Sequence, residues 1–415
     1  MTVDADELEI VALGARGDGI AQAPAGPRYV PFALPGELWR LTGNGGELLR
    51  PHPARATPPC GHFGACGGCV AQHMPVDTYA AWKRDTVVQA FRHRGIDAPV
   101  APLWRIAPAS RRRITLHARR HGGHVRLGFH RAATHDILDV TECAVAVPRI
   151  VAALPALREM LGPVLSGRSE AAITVVATAA GLDVHMTFTH LANPSSHYPA
   201  LAVLGARQGL ARLTVGNDIV LQAARPVLVF GGVGVEPPAG AFVQAVEAAQ
   251  EKMVEIALAA VGPAKRVADL FCGLGAFTLA LARRAQVLAV DGDTAAVTAL
   301  GAAVRRAQGL KPVEAKVRDL FREPLGGKEL QPFDAVVMDP PRQGAKAQAE
   351  QLARAKVPVI VVVSCDPGTL ARDVRLLVDG GYVIDSVAPI DQFLFSAHVE
   401  AVAVLRRQRV HGAIN

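Results

Sequence analysis

Three groups of residues in this sequence have types and spacings that could do chemistry. The first centres on Cys365, which follows the apolar run Val-Ile-Val-Val-Val-Ser and precedes Asp366, Pro367 and Gly368. A cysteine placed so tops a strand at the turn into the next helix, where a thiolate can act as a nucleophile. Inert packing is the competing reading, because cysteine commonly serves as a small buried hydrophobe. One strand earlier, Asp339, Pro340, Pro341 and Arg342 form a second rigid turn.

The second group runs from Asp269 to Phe277, Asp-Leu-Phe-Cys-Gly-Leu-Gly-Ala-Phe. It places an acid at a strand end and then a glycine turn that lets a ligand approach bare backbone. Asp291 ends the next strand, where a carboxylate can accept both hydroxyls of a ribose, so the pair points to a nucleoside ligand. A dinucleotide dehydrogenase is the rival, but Gly-Leu-Gly-Ala-Phe-Thr lacks the third glycine of that fingerprint. Asp319 and Asp339 add acids at strand carboxyl ends, the edge at which open α/β sheets bind ligands. Each acid taken singly also fits a helix cap, Asp319 above all.

The third group is Cys60, Cys66 and Cys69, with Cys143 far downstream beside Glu142. Four cysteines suit a metal site, and tetrahedral sulfur ligation serves zinc and iron–sulfur alike. Disulfides are not expected in a chain whose acidic start, Met-Thr-Val-Asp-Ala-Asp, does not resemble an export signal.

These residues need elements to hold them. After Pro238, apolar strands alternate with amphipathic helices, which predicts a parallel sheet covered on both faces. Residues 241–261 read as one helix carrying Phe242, Val243 and Gln244 beside the sheet edge. Residues 51–235 read as a mixed domain dominated by antiparallel strands, interrupted by the helical stretch Val-Pro-Arg-Ile-Val-Ala-Ala-Leu-Pro-Ala-Leu-Arg-Glu-Met-Leu. Residues 1–50 read as short strands broken by glycine and proline, a small barrel.

The 415 residues carry a formal charge of +7, with half hydrophobic and a fifth charged, a composition that predicts globular domains and not disorder. The charge is uneven. Between Arg105 and Arg131 stand eight arginines, four histidines and no acid, with a triplet at Arg111, Arg112 and Arg113. Arginine forks fit phosphates and stack on bases, so this segment reads as a nucleic-acid surface, with a solvated basic sheet as the plain alternative. No apolar run reaches the roughly 20 residues of a membrane span.

Taken together, Ala241–Gln244, Asp269–Phe277, Asp339–Gly344, Val363–Asp373 and Asp391–Leu405 resemble, in order and spacing, the signatures of the uracil-5 RNA methyltransferase family. The resemblance spans nearly the whole chain. It implies a Rossmann-like class I methyltransferase domain at 236–415, a central RNA-binding domain at 51–235 and a short TRAM-like (OB-like) barrel at 1–50, the last through Gly-Asp-Gly-Ile-Ala and Ala-Leu-Pro-Gly-Glu. It implies S-adenosylmethionine as cofactor, contacted by Gln244, Phe271, Asp291, Asp339 and Asp319, with Cys365 as nucleophile and Glu400 as general base. It further implies a 4Fe-4S cluster on Cys60, Cys66, Cys69 and Cys143, and 5-methyluridine formation in a cytoplasmic RNA, ribosomal in preference to transfer. No membrane and no obligate protein partner are expected. A noncatalytic RNA-binding protein retaining the fold is the alternative, and intact Cys365 and Glu400 argue against it. Arg342 replaces the aromatic residue with which DNA amino-methyltransferases stack a base after their own Pro-Pro turn, which disfavours that chemistry. Departures from the family pattern are Leu394 and Phe395 for proline and histidine, Ala276 for asparagine, Asp291 for glutamate and Asp366 for asparagine.

Overall fold

The computed structural model describes residues 6–42 and 45–408. Met1 to Ala5, two residues of the expected barrel at 43–44, and 409–415 lie outside the described residues. The first sheet holds β1 (Asp6–Leu13), β2 (Gly19–Ala23), β3 (Gly26–Val30), β4 (Leu38–Thr42) and β5 (Gly45–Arg50) in the antiparallel order β3-β2-β1-β4-β5. It wraps a small core of Ile10, Ala21, Val30, Ala33, Trp39 and Leu41, the size of core that a small β-barrel domain provides. Gly19 is required by that packing, since a Cβ there would stand 2.8 Å from Ala33 Cβ and Ile10 Cγ2.

A helix absent from the expectations, α1 (Val76–Arg92), leaves this sheet. Tyr79, Lys83, Val87 and Phe91 recur at helical spacing on its buried face, and Val87 and Phe91 enter the core of the C-terminal sheet. Trp82 Nε1 also donates to the Gly14 carbonyl at 2.9 Å, tying the helix to the first sheet.

The second sheet is formed by β6 (Arg113–His121), β7 (His124–His130), β8 (Ile137–Asp139), β9 (Glu170–Thr178), β10 (Gly181–Thr189), β11 (Leu210–Val215) and β12 (Asp218–Gln222). Its order is β12-β11-β10-β9-β6-β7-β8, antiparallel except between β10 and β11. Helices α2 (Pro148–Ala152), α3 (Leu154–Leu161) and α4 (Tyr198–Arg207) share its apolar core. The stretch read as one helix is thus two, breaking at Ala153 just before Pro155, whose missing N–H suits a first turn.

A hairpin of β13 (Leu228–Phe230) and β14 (Val233–Val235) leads to α5 (Glu247–Val261). There follow β15 (Arg266–Leu270), α6 (Ala276–Leu281), β16 (Gln286–Asp291), α7 (Thr294–Arg306), β17 (Val313–Val317) and α8 (Gly327–Leu330). The chain continues through β18 (Ala335–Met338), α9 (Lys346–Arg354), β19 (Val359–Ser364), α10 (Pro367–Asp379), β20 (Tyr382–Ile390) and β21 (Glu400–Arg407). The sheet order is β17-β16-β15-β18-β19-β21-β20, with β21 alone running against its neighbours. Every residue of β18 and β19 is buried, as strands covered on both faces require. The order reverses between β15 and β18, which opens a crevice at their carboxyl ends.

The expected helix from Ala241 begins only at Glu247; Phe242, Val243 and Gln244 lie in an extended approach to it. Arg112 is the reason. Its backbone N–H donates to the Ala245 carbonyl at 2.8 Å and its Nε to the Gln244 carbonyl at 3.2 Å, acceptors that a helix would have used itself.

Glu37, fully buried, knits the first sheet to the proline-rich segment after it. It accepts from Leu34 N, Trp39 Nε1 and His52 N, and pairs with Arg55 at 2.7 Å. Burial alone would raise its carboxyl, but these donors together hold it below the ordinary range. Its stabilisation is therefore present at neutral pH and is lost as pH falls through that depressed value. Glu37→Ala, which leaves those donors unpaired, is expected to cost about 3 kcal/mol at pH 7. Urea titration followed by tryptophan fluorescence checks this, and a loss below about 0.5 kcal/mol would remove Glu37 from the anchor.

Candidate active site

Six expected residues, Gln244, Phe271, Asp291, Asp339, Cys365 and Glu400, meet at the carboxyl edge of the third sheet. β15 ends in Asp269 and Leu270, and Phe271 follows with φ +60°, a left-handed conformation rare for an aromatic residue. Gly273 and Gly275 continue the turn at φ +50° and +87°, and a Cβ on Gly275 would meet Leu300 Cδ1 at 2.4 Å. Asp291 closes this turn from the neighbouring strand, accepting Gly273 N on Oδ2 and Asp293 N on Oδ1, both at 2.8 Å. Asp319 is exposed and caps its own loop, accepting Phe321 N at 3.0 Å and Arg322 N at 3.3 Å, while the Phe321 and Phe271 rings lie 5.3 Å apart.

Asp339 stands at the end of β18, next to the β15 turn. Gln244 Nε2 donates to Asp339 Oδ2 at 2.9 Å; Gln392 Nε2 donates both to Gln244 Oε1 at 2.7 Å and to Glu400 Oε2 at 2.9 Å. One continuous chain of hydrogen bonds thus joins Asp339, Gln244, Gln392 and Glu400. Burial pushes the Asp339 carboxyl up to about 7, with the Gln244 bond opposing and Asp291 adding to the rise. Glu400 is driven well above the carboxylate range by burial and then by Asp339, against the Gln392 bond. Asp269 likewise rises to about 7 by burial, opposed by its bond from Thr278, and its Oδ1 has no partner among the described residues.

Cys365 sits between the end of β19 and α10, whose N-cap Asp366 accepts Thr369 N at 3.0 Å. Burial pushes its thiol up to about 11, and Glu400 and Asp339 contribute in the same direction. Arg342 is exposed and faces Asp366, Nε to Oδ2 at 3.4 Å. Cys272 is buried in the glycine turn.

Gln392 was not singled out from the sequence, nor was the anchor behind it. Asp391 is completely buried, accepting the Tyr79 hydroxyl at 2.7 Å and pairing with Lys83 at 3.2 Å. Lys83 also donates to the Phe393 carbonyl at 3.1 Å and to that of His398. Phe395 N donates to the Tyr79 hydroxyl, and Val70 N and Ala71 N donate to the Phe395 carbonyl. A lysine at the fourth-residue spacing of Tyr79, Lys83, Val87 and Phe91 was the available signal, because a charge on an apolar stripe must be paired when buried.

The arginine triplet is less of a surface than its composition suggests. Arg112 is buried, bonding Gln250 Oε1 at 3.0 Å and pairing with Glu247 at 3.0 Å. Arg111 and Arg113 lie over the rings of Phe393 and Phe242, at 5.9 and 5.5 Å. Phe242 itself is exposed.

Cys60, Cys66, Cys69 and Cys143 are free thiols in partly buried positions. Thr141 N donates to His62 Nε2 at 3.1 Å and Gly61 N to Glu142 Oε1, which brings the segment carrying Cys143, just after β8, to the loop. The Cys69 thiol is pushed up to about 12 by burial, with Cys143, Cys66 and Cys60 adding to the rise. Among the described residues, no three His, Cys, Asp or Glu side chains are disposed to hold one metal ion.

This sheet order, with a glycine turn, an acid closing it from the neighbouring strand and a proline-flanked acid at one edge, defines the class I methyltransferase fold. The tRNA (Uracil-5-)-methyltransferase family matches residues 233–408. An RNA methyltransferase of Brucella suis is 46% identical over 97% of this chain and 98% of its own. The 23S rRNA (uracil(1939)-C(5))-methyltransferase of Halomonas elongata is 33% identical over 96% of this chain and 89% of its own. The Pyrococcus abyssi tRNA (uracil-54, C5)-methyltransferase, solved with S-adenosyl-L-homocysteine, superposes with a TM-score of 0.72 at 23% identity over 96% of this chain and 99% of that one. The chain belongs to the uracil-5 RNA methyltransferase family.

With its thiol near 11, Cys365 of the free protein is expected to react slowly with iodoacetamide at pH 7, the rate climbing about tenfold per pH unit toward that value. Peptide mapping of alkylation against pH tests this; a plateau below pH 9 would contradict the crowding of acids around the thiol.

Proposed function

We propose that this protein transfers a methyl group from S-adenosylmethionine to carbon 5 of a uridine in RNA, through a covalent bond to Cys365. The observation that carries the reading is the placement of a thiol at a sheet edge within electrostatic range of Glu400, itself hydrogen-bonded through two amides to Asp339.

The site suits a cationic nucleoside. Asp269 Oδ1 is buried without a donor among the described residues, and Asp269 and Asp339 are acids whose ionised forms burial disfavours until a positive charge arrives. In this reading Asp291 holds the ribose, Phe271 lines the base side, and Gln244 and Asp339 face the reacting end; Asp319, committed to its own loop, is the weakest of the contacts. When bound, S-adenosylmethionine supplies an electrophilic methyl group.

Carbon 5 of uracil is a poor nucleophile by itself. The Cys365 thiolate forms a bond to carbon 6, and the electron pair of the C5–C6 double bond moves onto carbon 5 and oxygen 4 as an enolate. Once carbon 5 carries the methyl, Glu400 takes its remaining proton; the C5–C6 double bond re-forms and the carbon–sulfur bond breaks, freeing Cys365. The base must leave its stack to reach this edge. Ribosomal RNA is the proposed substrate, supported by the relative named for 23S rRNA at 33% identity. A cytoplasmic site of action accompanies it, where free thiols persist.

We further propose a 4Fe-4S cluster on Cys60, Cys66, Cys69 and Cys143. What favours it is the chemistry of the donor set, four free thiols that feel one another electrostatically; among the described residues they are not disposed to hold a single metal ion. With the cluster bound these residues would staple the loop to the second sheet.

Cys365→Ala is expected to abolish methylation of unmodified rRNA transcripts. Glu400→Gln is expected to add and accept the methyl but stall before elimination, accumulating a protein–RNA adduct that survives denaturing electrophoresis. No adduct, on an RNA that the wild type methylates, would sink the mechanism. Anaerobic purification is expected to give a brown protein with about four irons per chain, bleached by Cys143→Ala. A colourless, zinc-loaded and fully active preparation would overturn the cluster.

A further inference from the structure

Gln392 links the two acids of the site and belongs to none of the groups assigned so far. It is buried, and its amide nitrogen spends both hydrogens, one on Glu400 Oε2 and one on Gln244 Oε1. This makes the network directional. Because Gln392 donates to the oxygen of Gln244, the nitrogen of Gln244 must point to Asp339, where it donates at 2.9 Å. With the acids ionised, turning either amide over would set an oxygen against an oxygen, and a buried polar pair left unbonded costs more than the bond is worth; Gln392 Oε1 itself has no partner among the described residues.

The backbone beneath Gln392 is held as firmly as its side chain. Asp391, immediately before it, is locked by Tyr79 and Lys83, and its N–H donates to the Trp104 carbonyl at 2.9 Å. Phe395, three residues on, is held at φ +62° with its carbonyl taken by Val70 and Ala71. Such a left-handed residue persists only where its surroundings over-determine it. The loop is therefore braced from behind, and Gln392 carries this bracing forward to Glu400 directly and to Asp339 through Gln244.

We propose that Gln392 is a positioning residue for the elimination step: it fixes the Glu400 carboxylate for removal of the carbon 5 proton and, through Gln244, ties that position to Asp339 at the cofactor edge. The proposal rests on the function argued above. Its amide hydrogen bond also favours the ionised form of Glu400, opposing burial. Without it, Glu400 would need a higher pH to act as a base, so the acid limb of the release step would move upward.

The test is Gln392→Met, which keeps length and volume but can neither donate nor accept in this geometry. Rapid-quench assays on unmodified 23S rRNA transcripts would follow adduct formation and adduct release separately, with S-adenosylmethionine affinity and thermal unfolding measured alongside. Adduct formation within about threefold of wild type, with release slowed about 10–100-fold and shifted to higher pH, is the expected result. In a Glu400→Gln background, Gln392→Met is expected to add nothing further to the release defect, as residues acting through one group require. Unchanged release would overturn the proposal. So would a parallel fall in cofactor affinity, adduct formation and release together with a lower unfolding temperature, which would mark Gln392 as structural only. A wild-type protein forming neither adduct nor 5-methyluridine would instead defeat the underlying function, so the two failures are distinguishable.

Discussion

Negative charge crowded into low dielectric at one sheet edge is the constraint on which this structure turns. Asp339 and Glu400 crowd Cys365, Asp269 and Asp291 stand close behind Asp339, and burial makes the charges on Asp269, Asp339 and Glu400 harder to hold. The amides of Gln244 and Gln392 are what make the arrangement tolerable, because each donates to an acid and neither adds charge. A lysine or arginine in either place would neutralise the acids and remove the reason for a cation to bind. The fold has kept its fixed cations one layer back: Lys83 on Asp391 and Arg112 on Glu247.

That second layer explains why residues so scattered in the chain can cooperate. Arg112, just before β6, holds the backbone of residues 244 and 245 out of the helix and so turns Gln244 toward Asp339. α1 presents Tyr79 and Lys83, which seize the loop between β20 and β21. The cysteine loop runs directly into Val70 and Ala71, which bond the same loop at Phe395. Two backbone hydrogen bonds thus join the cysteine loop to the segment that leads to Glu400.

Much of the third sheet was legible because its signals are local. Val359 to Ser364 is an uninterrupted apolar run, the glycine turn follows its strand directly, and Asp293 accepts Ala295 N and Ala296 N as a helix N-cap should. What stayed hidden was set by distant partners. Residues 241–246 have helix-compatible composition, and only an arginine more than a hundred residues earlier in the chain denies them their hydrogen bonds. The same arginine shows why composition misleads about surfaces: a basic triplet next to a domain junction was recruited inward. Lys83 was readable in principle from its place on an apolar stripe, but Gln392 was not, since an isolated glutamine carries no pattern until its neighbours in space are known.

The helix α1 also sets an order on how the molecule comes into being. Tyr79 and Asp391 are separated by 312 residues, and Val87 and Phe91 pack into a core completed only by β20 and β21. During synthesis the helix emerges long before its partners, so its apolar face must wait uncovered while two sheets form around it. Closing so long a loop adds little entropy cost beyond that of a shorter one, but the delay exposes hydrophobic surface at the stage when chains aggregate. β20 and β21, which emerge long after α1, therefore complete the sheet edge that carries Glu400 and cover Val87 and Phe91 in a single event.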